Sequence, residues 1–248
     1  MPKTFLIDTS RCTACRGCQL ACKEWHELPA NATMQYGWGS HQNPQDLNPN
    51  NYKLVRFRER LDGDVIRWNF FPEQCRHCVS PPCKDAADSI ASGIITKDAK
   101  TGAVLFTEKS KQLTPEQFED IRYACPYNIP RRSEATKLMS KCTMCNDRVL
   151  SGMLPACVKV CPTGTMNFGD REEMLQLAEE RLAVVQKTFP EAMLADAEDV
   201  SVIYLLIDAP ENYHDNAVAD AARVLDRKQF LAGLTKPLKR LGRAVREG

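Results

Sequence analysis

The sequence has no surplus of either charge, no long apolar run and no local signature of a catalytic centre. Lys and Arg total 33 against 32 Asp and Glu, so the basic excess that nucleic-acid binding requires is missing. The longest apolar run, Val200 to Ile207, falls far short of the ~18 residues a membrane-spanning helix needs. The opening Met1-Pro2-Lys3-Thr4-Phe5-Leu6-Ile7-Asp8 lacks the apolar core of a secretory signal, so export on a signal of its own is not expected. No P-loop, dinucleotide fingerprint, zinc-protease helix or serine-hydrolase elbow occurs, which leaves neither nucleotide binding nor hydrolysis a local signature.

What the sequence has in plenty is cysteine, twelve in 248 residues. Neither the size nor the spacing suits a small disulfide-stapled scaffold. Cys12, Cys15, Cys18 and Cys22 form a C-x2-C-x2-C-x3-C run. In such bacterial iron–sulfur runs the fourth cysteine ligates the other cluster of a pair. Cys142, Cys145, Cys157 and Cys161 repeat that array with the middle spacing stretched, closing on Cys161-Pro162. Two further arrays are partial. Cys75, Cys78 and Cys83 lack a fourth member, because Ala87 stands where it should fall. Cys125 is a fourth member alone; stepping back from it by the array spacing gives Ile121, Phe118 and Pro115.

The missing positions belong together. By the exchange rule, Ala87 and positions 115, 118 and 121 would be the four ligands of one cubane. Its loss leaves three complete sets: Cys12, Cys15, Cys18 with Cys161; Cys22 with Cys142, Cys145, Cys157; and Cys75, Cys78, Cys83 with Cys125. Three [4Fe–4S] clusters are therefore expected, and with each at about −2 they would take the formal charge from +1 to about −5. Structural zinc is the rival reading. C-x2-C pairs alone allow it, but triple runs and Cys-Pro closures fit it badly.

The fold expected is α+β, with two interleaved bacterial-ferredoxin-like modules, hairpin insertions and a C-terminal helical extension. Residues 1–51 with 133–169 would hold two clusters, residues 52–132 one, and residues 170–248 would form the extension. Phe5-Leu6-Ile7 predicts a strand. Residues 23–51, carrying Trp25, Tyr36 and Trp38, predict an irregular but packed loop. Hairpins are predicted around Asp62-Gly63 and Lys100-Thr101-Gly102. Thr114-Pro115-Glu116-Gln117 is a helix start with a capping box, and Asp170 should cap an amphipathic helix ending before Pro190. If the lost cubane was replaced by side chains, Phe118 and Ile121 should pack against Ala87.

His77, lying between two cysteines, is expected beside the cluster or at the surface, and not as a ligand. Arg11, Arg16, Arg76 and Lys141 adjoin cysteines, where positive charge would favour reduced clusters; ordinary solvated charge is the alternative. From Arg227 the tail carries seven basic residues against Glu247, a face for docking on a partner subunit, for a membrane surface or for its own subunit.

Together the four arrays, Cys125-Pro126-Tyr127-Asn128-Ile129-Pro130-Arg131, Lys141-Cys142-Thr143-Met144-Cys145 and Pro155-Ala156-Cys157-Val158-Lys159-Val160-Cys161-Pro162-Thr163-Gly164 resemble the iron–sulfur subunits of molybdenum or tungsten pterin oxidoreductases. Glu24-Trp25-His26-Glu27-Leu28-Pro29, Gly37-Trp38-Gly39-Ser40 and Trp68-Asn69-Phe70-Phe71-Pro72 narrow the resemblance to the small subunits of periplasmic formate dehydrogenases of sulfate-reducing bacteria. The resemblance implies a non-catalytic electron relay. It would be fed by a large subunit carrying a Mo or W bis-pterin cofactor and one more [4Fe–4S] cluster, and drained by a soluble multihaem cytochrome c. It also implies a periplasmic location, reached by export with the signal-bearing large subunit; a cytoplasmic one is the alternative. The same role in a polysulfide, thiosulfate or sulfoxide reductase, or a zinc-stabilised binding module, are the competing functions.

Overall fold

The computed structural model describes residues 2–31 and 40–219. The motif at 37–39, Tyr36 and the basic tail from Arg227 lie outside the described residues. Strand β1 (Lys3–Asp8) runs through the middle of a four-stranded sheet. It pairs antiparallel with β8 (Met166–Asp170) and parallel with β10 (Val202–Leu206), which in turn pairs antiparallel with β9 (Met193–Ala195). Phe5 is aligned with both Phe168 and Val202. The two inner strands, Thr4 to Asp8 and Val202 to Leu206, are buried on both faces, which is why they read as continuous apolar runs without alternation. Because β10 lies beside β1, residues 166–206 complete the sheet that the N-terminus begins.

Between β1 and β8 the chain inserts two hairpins and the cysteine loops. Strands β2 (Leu54–Asp62) and β3 (Val65–Glu73) form the longer hairpin, with Gly63 at a positive φ of 59° in its two-residue turn. Only its base is buried, at Leu54, Val55 and Phe71, while Leu61, Ile66 and Trp68 at the tip are exposed. Strands β4 (Ile95–Lys97) and β5 (Val104–Phe106) form the second hairpin. A two-residue pairing joins β6 (Arg131–Arg132) to β7 (Met139–Ser140). The described parts of the loop at 23–51 are irregular and tied down: Arg131 donates to the Asp46 carboxylate at 2.6 Å and to the Leu47 carbonyl at 2.7 Å.

Among the described residues six α-helices position the rest: α1 (Gly17–Trp25), α2 (Pro82–Asp88), α3 (Pro115–Ala124), α4 (Asn146–Leu150), α5 (Ala156–Lys159) and α6 (Arg171–Val185). Helix α3 begins at the predicted capping box, Thr114 and Gln117 bonding each other's backbone N–H. Its Phe118 and Ile121 are buried in one core with Ala87 of α2, together with Ile94, Ile95 and Leu113. Apolar side chains thus occupy the region where a fourth set of cysteines would have met. Helix α6 departs from expectation at its start. Asp170 makes no capping bond; the sheet register sets it opposite Lys3, and its carboxylate accepts from that ammonium at 2.8 Å.

Candidate iron–sulfur sites

Three C-x2-C loops share one backbone device. In each, the second intervening residue takes a left-handed φ: 53° at Ala14, 46° at His77 and 62° at Met144. None is glycine, so each loop holds a conformation that costs about 1–2 kcal/mol and persists only where the surroundings enforce it. The turn aims an amide at sulfur. The N–H of His77 reaches Cys75 Sγ at 3.4 Å, that of Met144 reaches Cys142 Sγ at 3.4 Å, and Ala14 serves Cys12 in the same way. Hydrogen bonds to the anion favour thiolate over thiol.

The two Cys-Pro turns supply donors on the other side. Backbone N–H groups of Ile129 and Tyr127 point at Cys125. Burial raises the Cys161 thiol, but the Met166 N–H, the Thr163 hydroxyl and further amides at Thr163 and Thr165 more than offset it, leaving Cys161 below its ordinary value.

The fold gathers the thiols into three groups. Cys12, Cys15, Cys18 and Cys161 line one cavity. Cys75, Cys78, Cys83 and Cys125 line another. Cys22 on α1 is held by burial, then by the charges of Cys142, Cys157 and Cys145, well above the ordinary thiol range. Burial likewise pushes Cys12 up to about 11 and Cys83, Cys142 and Cys157 up to about 12. Four thiols brought together in apolar surroundings resist ionisation, and a bound cation supplies the compensation. Cys18 acts on Cys157, and Cys75 on Cys142, so the first group neighbours the second and the second neighbours the third. All four cysteines of the second group are buried, whereas Cys15 of the first is exposed and Cys78 of the third half-buried. Among the described residues no three metal-ligating side chains close on a point that a single ion could occupy; the thiols stand around cavities instead.

The charged neighbours divide into two kinds. Arg11, 3.7 Å from Asp8, and Arg16, stacked over Phe57, are partly open to solvent. Arg76 and Lys141 are buried. Arg76 lies 4.3 Å over the Tyr204 ring and bonds the carbonyls of Gln74 and Ala217, and Lys141 bonds those of Val104 and Cys142. His77 is also buried; burial, then the charges of Lys141 and Lys97, hold it well below its ordinary pKa. Its Nδ1 accepts from the Val104 N–H at 3.0 Å, so the proton resides on Nε2, which has no protein partner. Gln74 Nε2 is a second buried donor without a partner. Thiol quartets, unclaimed buried donors and buried cations all suit an anionic cluster.

A further buried cation, Lys53, is not announced by any motif. It stands between Tyr52 and Leu54 with no cysteine near it in sequence, and only the fold brings it among the thiols. In a stretch followed by Arg56, Arg58, Glu59 and Arg60, one more basic residue leaves no local sign.

Comparison with known proteins agrees with this chemistry. A family model described as a 4Fe-4S dicluster domain matches residues 66–171. The formate dehydrogenase 2 subunit beta (cytochrome c-553) of Nitratidesulfovibrio vulgaris (strain Hildenborough) is 63% identical over 218 residues, covering 88% of this chain and 99% of that one. The formate dehydrogenase subunit beta of Megalodesulfovibrio gigas is 51% identical over 88% of this chain and all of its own length. The formate dehydrogenase-O iron-sulfur subunit of Escherichia coli (strain K12) is 35% identical over 97% of this chain and 78% of that one. Such identity over nearly whole lengths makes this chain a member of the beta-subunit family of formate dehydrogenases found in sulfate-reducing bacteria, the non-catalytic iron–sulfur subunits through which those enzymes pass electrons.

Proposed function

We propose that the chain holds three [4Fe–4S] clusters, one in each cysteine quartet. It relays electrons from a catalytic subunit that oxidises formate at a Mo or W pterin centre to a soluble c-type cytochrome. Formate yields carbon dioxide, one proton and two electrons, which pass singly. Each cluster, when bound, accepts and releases one electron. The polypeptide's part is to hold the thiolates, to donate N–H groups to their sulfurs and to keep water from the buried second site. The first site, with Cys15 at the surface, would receive electrons from the large subunit; the third would deliver them. The cytochrome in the printed name of the N. vulgaris relative supports the acceptor, and a c-type cytochrome as acceptor supports a periplasmic home. Among the described residues no helix is long and apolar enough to cross a membrane.

The observation that carries this reading is the one loop geometry repeated at Ala14, His77 and Met144, each loop joined by a cysteine distant in sequence. Anaerobically purified protein should contain about twelve irons and twelve sulfides per chain. Cys83→Ala should lower both to about eight, leaving two cubanes. A colourless protein with about three zinc ions would refute the assignment. Formate-dependent reduction of cytochrome c by the purified complex tests the relay.

A further inference from the structure

Lys53 immediately precedes β2 and is 2% exposed. Its Nζ donates to the Pro72 carbonyl at 3.3 Å and to the side-chain oxygen of Gln74. No carboxylate pairs with it among the described residues. An ammonium buried in this way is costly unless a negative charge lies near. The fold supplies one on two sides. Pro72, its hydrogen-bond acceptor, lines the same cavity as Cys12, Cys15, Cys18 and Cys161. Val55, two residues on, lines that cavity too and shares a core with Cys18 of the first group and Cys157 of the second.

We propose that Lys53 is the shared counter-charge of the first and second cluster sites, a positioning residue that favours the reduced state of both. The proposal rests on the three-cluster reading above. One electron takes a four-thiolate cubane from about −2 to about −3, and a fixed positive charge in low-dielectric surroundings stabilises the added charge. Because the ammonium lies between two sites, it acts on both.

The electrostatics agree. Burial draws the Lys53 pKa down, but the charges of Cys157, Cys18, Tyr204 and Cys142 outweigh it and keep the group protonated. In return Lys53 acts on Cys12, Cys18, Cys22, Cys145 and Cys157. At the third site Arg76 and Lys141 fill that part, acting on Cys78, Cys125 and Cys83.

The test is a redox titration of the assembled complex followed by electron paramagnetic resonance, with iron counted in the same samples. Lys53→Met should lower two of the three midpoints, cutting the reduced-to-oxidised ratio at fixed potential about tenfold, or about 59 mV for one electron. The third midpoint should stay in place, and Lys53→Arg should restore the other two. If the Met variant does not assemble, Lys53→Gln is read instead, since its amide can still donate to Pro72 and Gln74. Unchanged midpoints at full iron content would overturn the proposal, as would an equal fall in all three. A wild-type iron count far from twelve would instead overturn the three-cluster reading.

Discussion

Glu73 shows how single residues tolerate burial of charge in this molecule. It is 1% exposed at the end of β3, where Arg56 of the paired strand bonds its carboxylate and His214 lies 3.4 Å away. Burial alone would raise its pKa. The His214 hydrogen bond, the Arg56 charge and more distant Arg76 reverse that and hold it at about 2. Arg56 also pairs with Asp46, and Asp46 with Arg131, so one guanidinium ties the hairpin base to the loop that precedes it. Removing one partner from a buried pair leaves the other uncompensated, at about 3–5 kcal/mol. Because Arg56 keeps Asp46 as a partner, Glu73→Gln should cost part of that at neutral pH, read from the urea midpoint. A carboxylate with a depressed folded pKa contributes fully above about 4.5 and loses its contribution as pH falls toward 2. The gap between wild type and variant should therefore narrow over that window; a gap independent of pH would show that Glu73 is not ionised in the native protein.

Among the elements, α3 gives the clearest account of how a lost ligand set is replaced. Pro115, Phe118 and Ile121 occupy the three positions where the array spacing back from Cys125 would put cysteines, and the same residues start and pack a helix. Thr114 and Gln117 satisfy two N–H groups at its first turn, and Pro115 needs none. Ile121 is fully buried and Phe118 nearly so, against Ala87 one turn beyond Cys83 on α2. This core is continuous with Cys83, so the plug also braces a ligand of the third site. Phe118→Ala should cost about 3–5 kcal/mol, whereas Thr114→Ala, which removes only a cap, should cost about 1 kcal/mol. Thermal melts of the holo protein measure both. Equal effects would mean that α3 is held by its cap and not by packing.

Over the whole molecule, clusters held by the quartets would act as cross-links between distant parts of the chain. Cys161 follows α5 and meets three cysteines that precede or open α1, while Cys22 on α1 meets Cys142, Cys145 and Cys157. Cys18 and Cys157 belong to the same core as Phe5, Tyr204 and Leu206, so the central sheet is packed directly against the sites. Buried Lys53, Arg76 and Lys141 add positive charge that the clusters would balance. Iron removal by a chelator under reducing conditions should therefore loosen the fold as a whole, with loss of near-ultraviolet dichroism and rapid proteolysis of the 2–219 body. An apo chain that keeps the holo melting temperature would contradict this.

Features that depend on short spacing can be read along the chain. Steps of three along Cys12, Cys15 and Cys18 dictate a ligand loop, Asp62-Gly63 a turn, and Thr114-Pro115-Glu116-Gln117 a helix start, because each is made by neighbours within one or two turns of chain. The absence of cysteine at 87, 115, 118 and 121 was legible for the same reason, and the apolar packing of Ala87, Phe118 and Ile121 follows from their chemistry. Only the tertiary structure decided the rest. Nothing local in Val202–Leu206 says that it lies parallel to β1, a partner nearly two hundred residues away. Asp170 has the chemistry of a helix cap, but the register of β1 with β8 offers it the Lys3 ammonium instead. Lys53 has no motif at all; its surroundings come from strands, helices and cysteine loops that meet only on folding. Charge and hydrogen-bond partners act through space, and here the nearest groups in space are far apart in sequence.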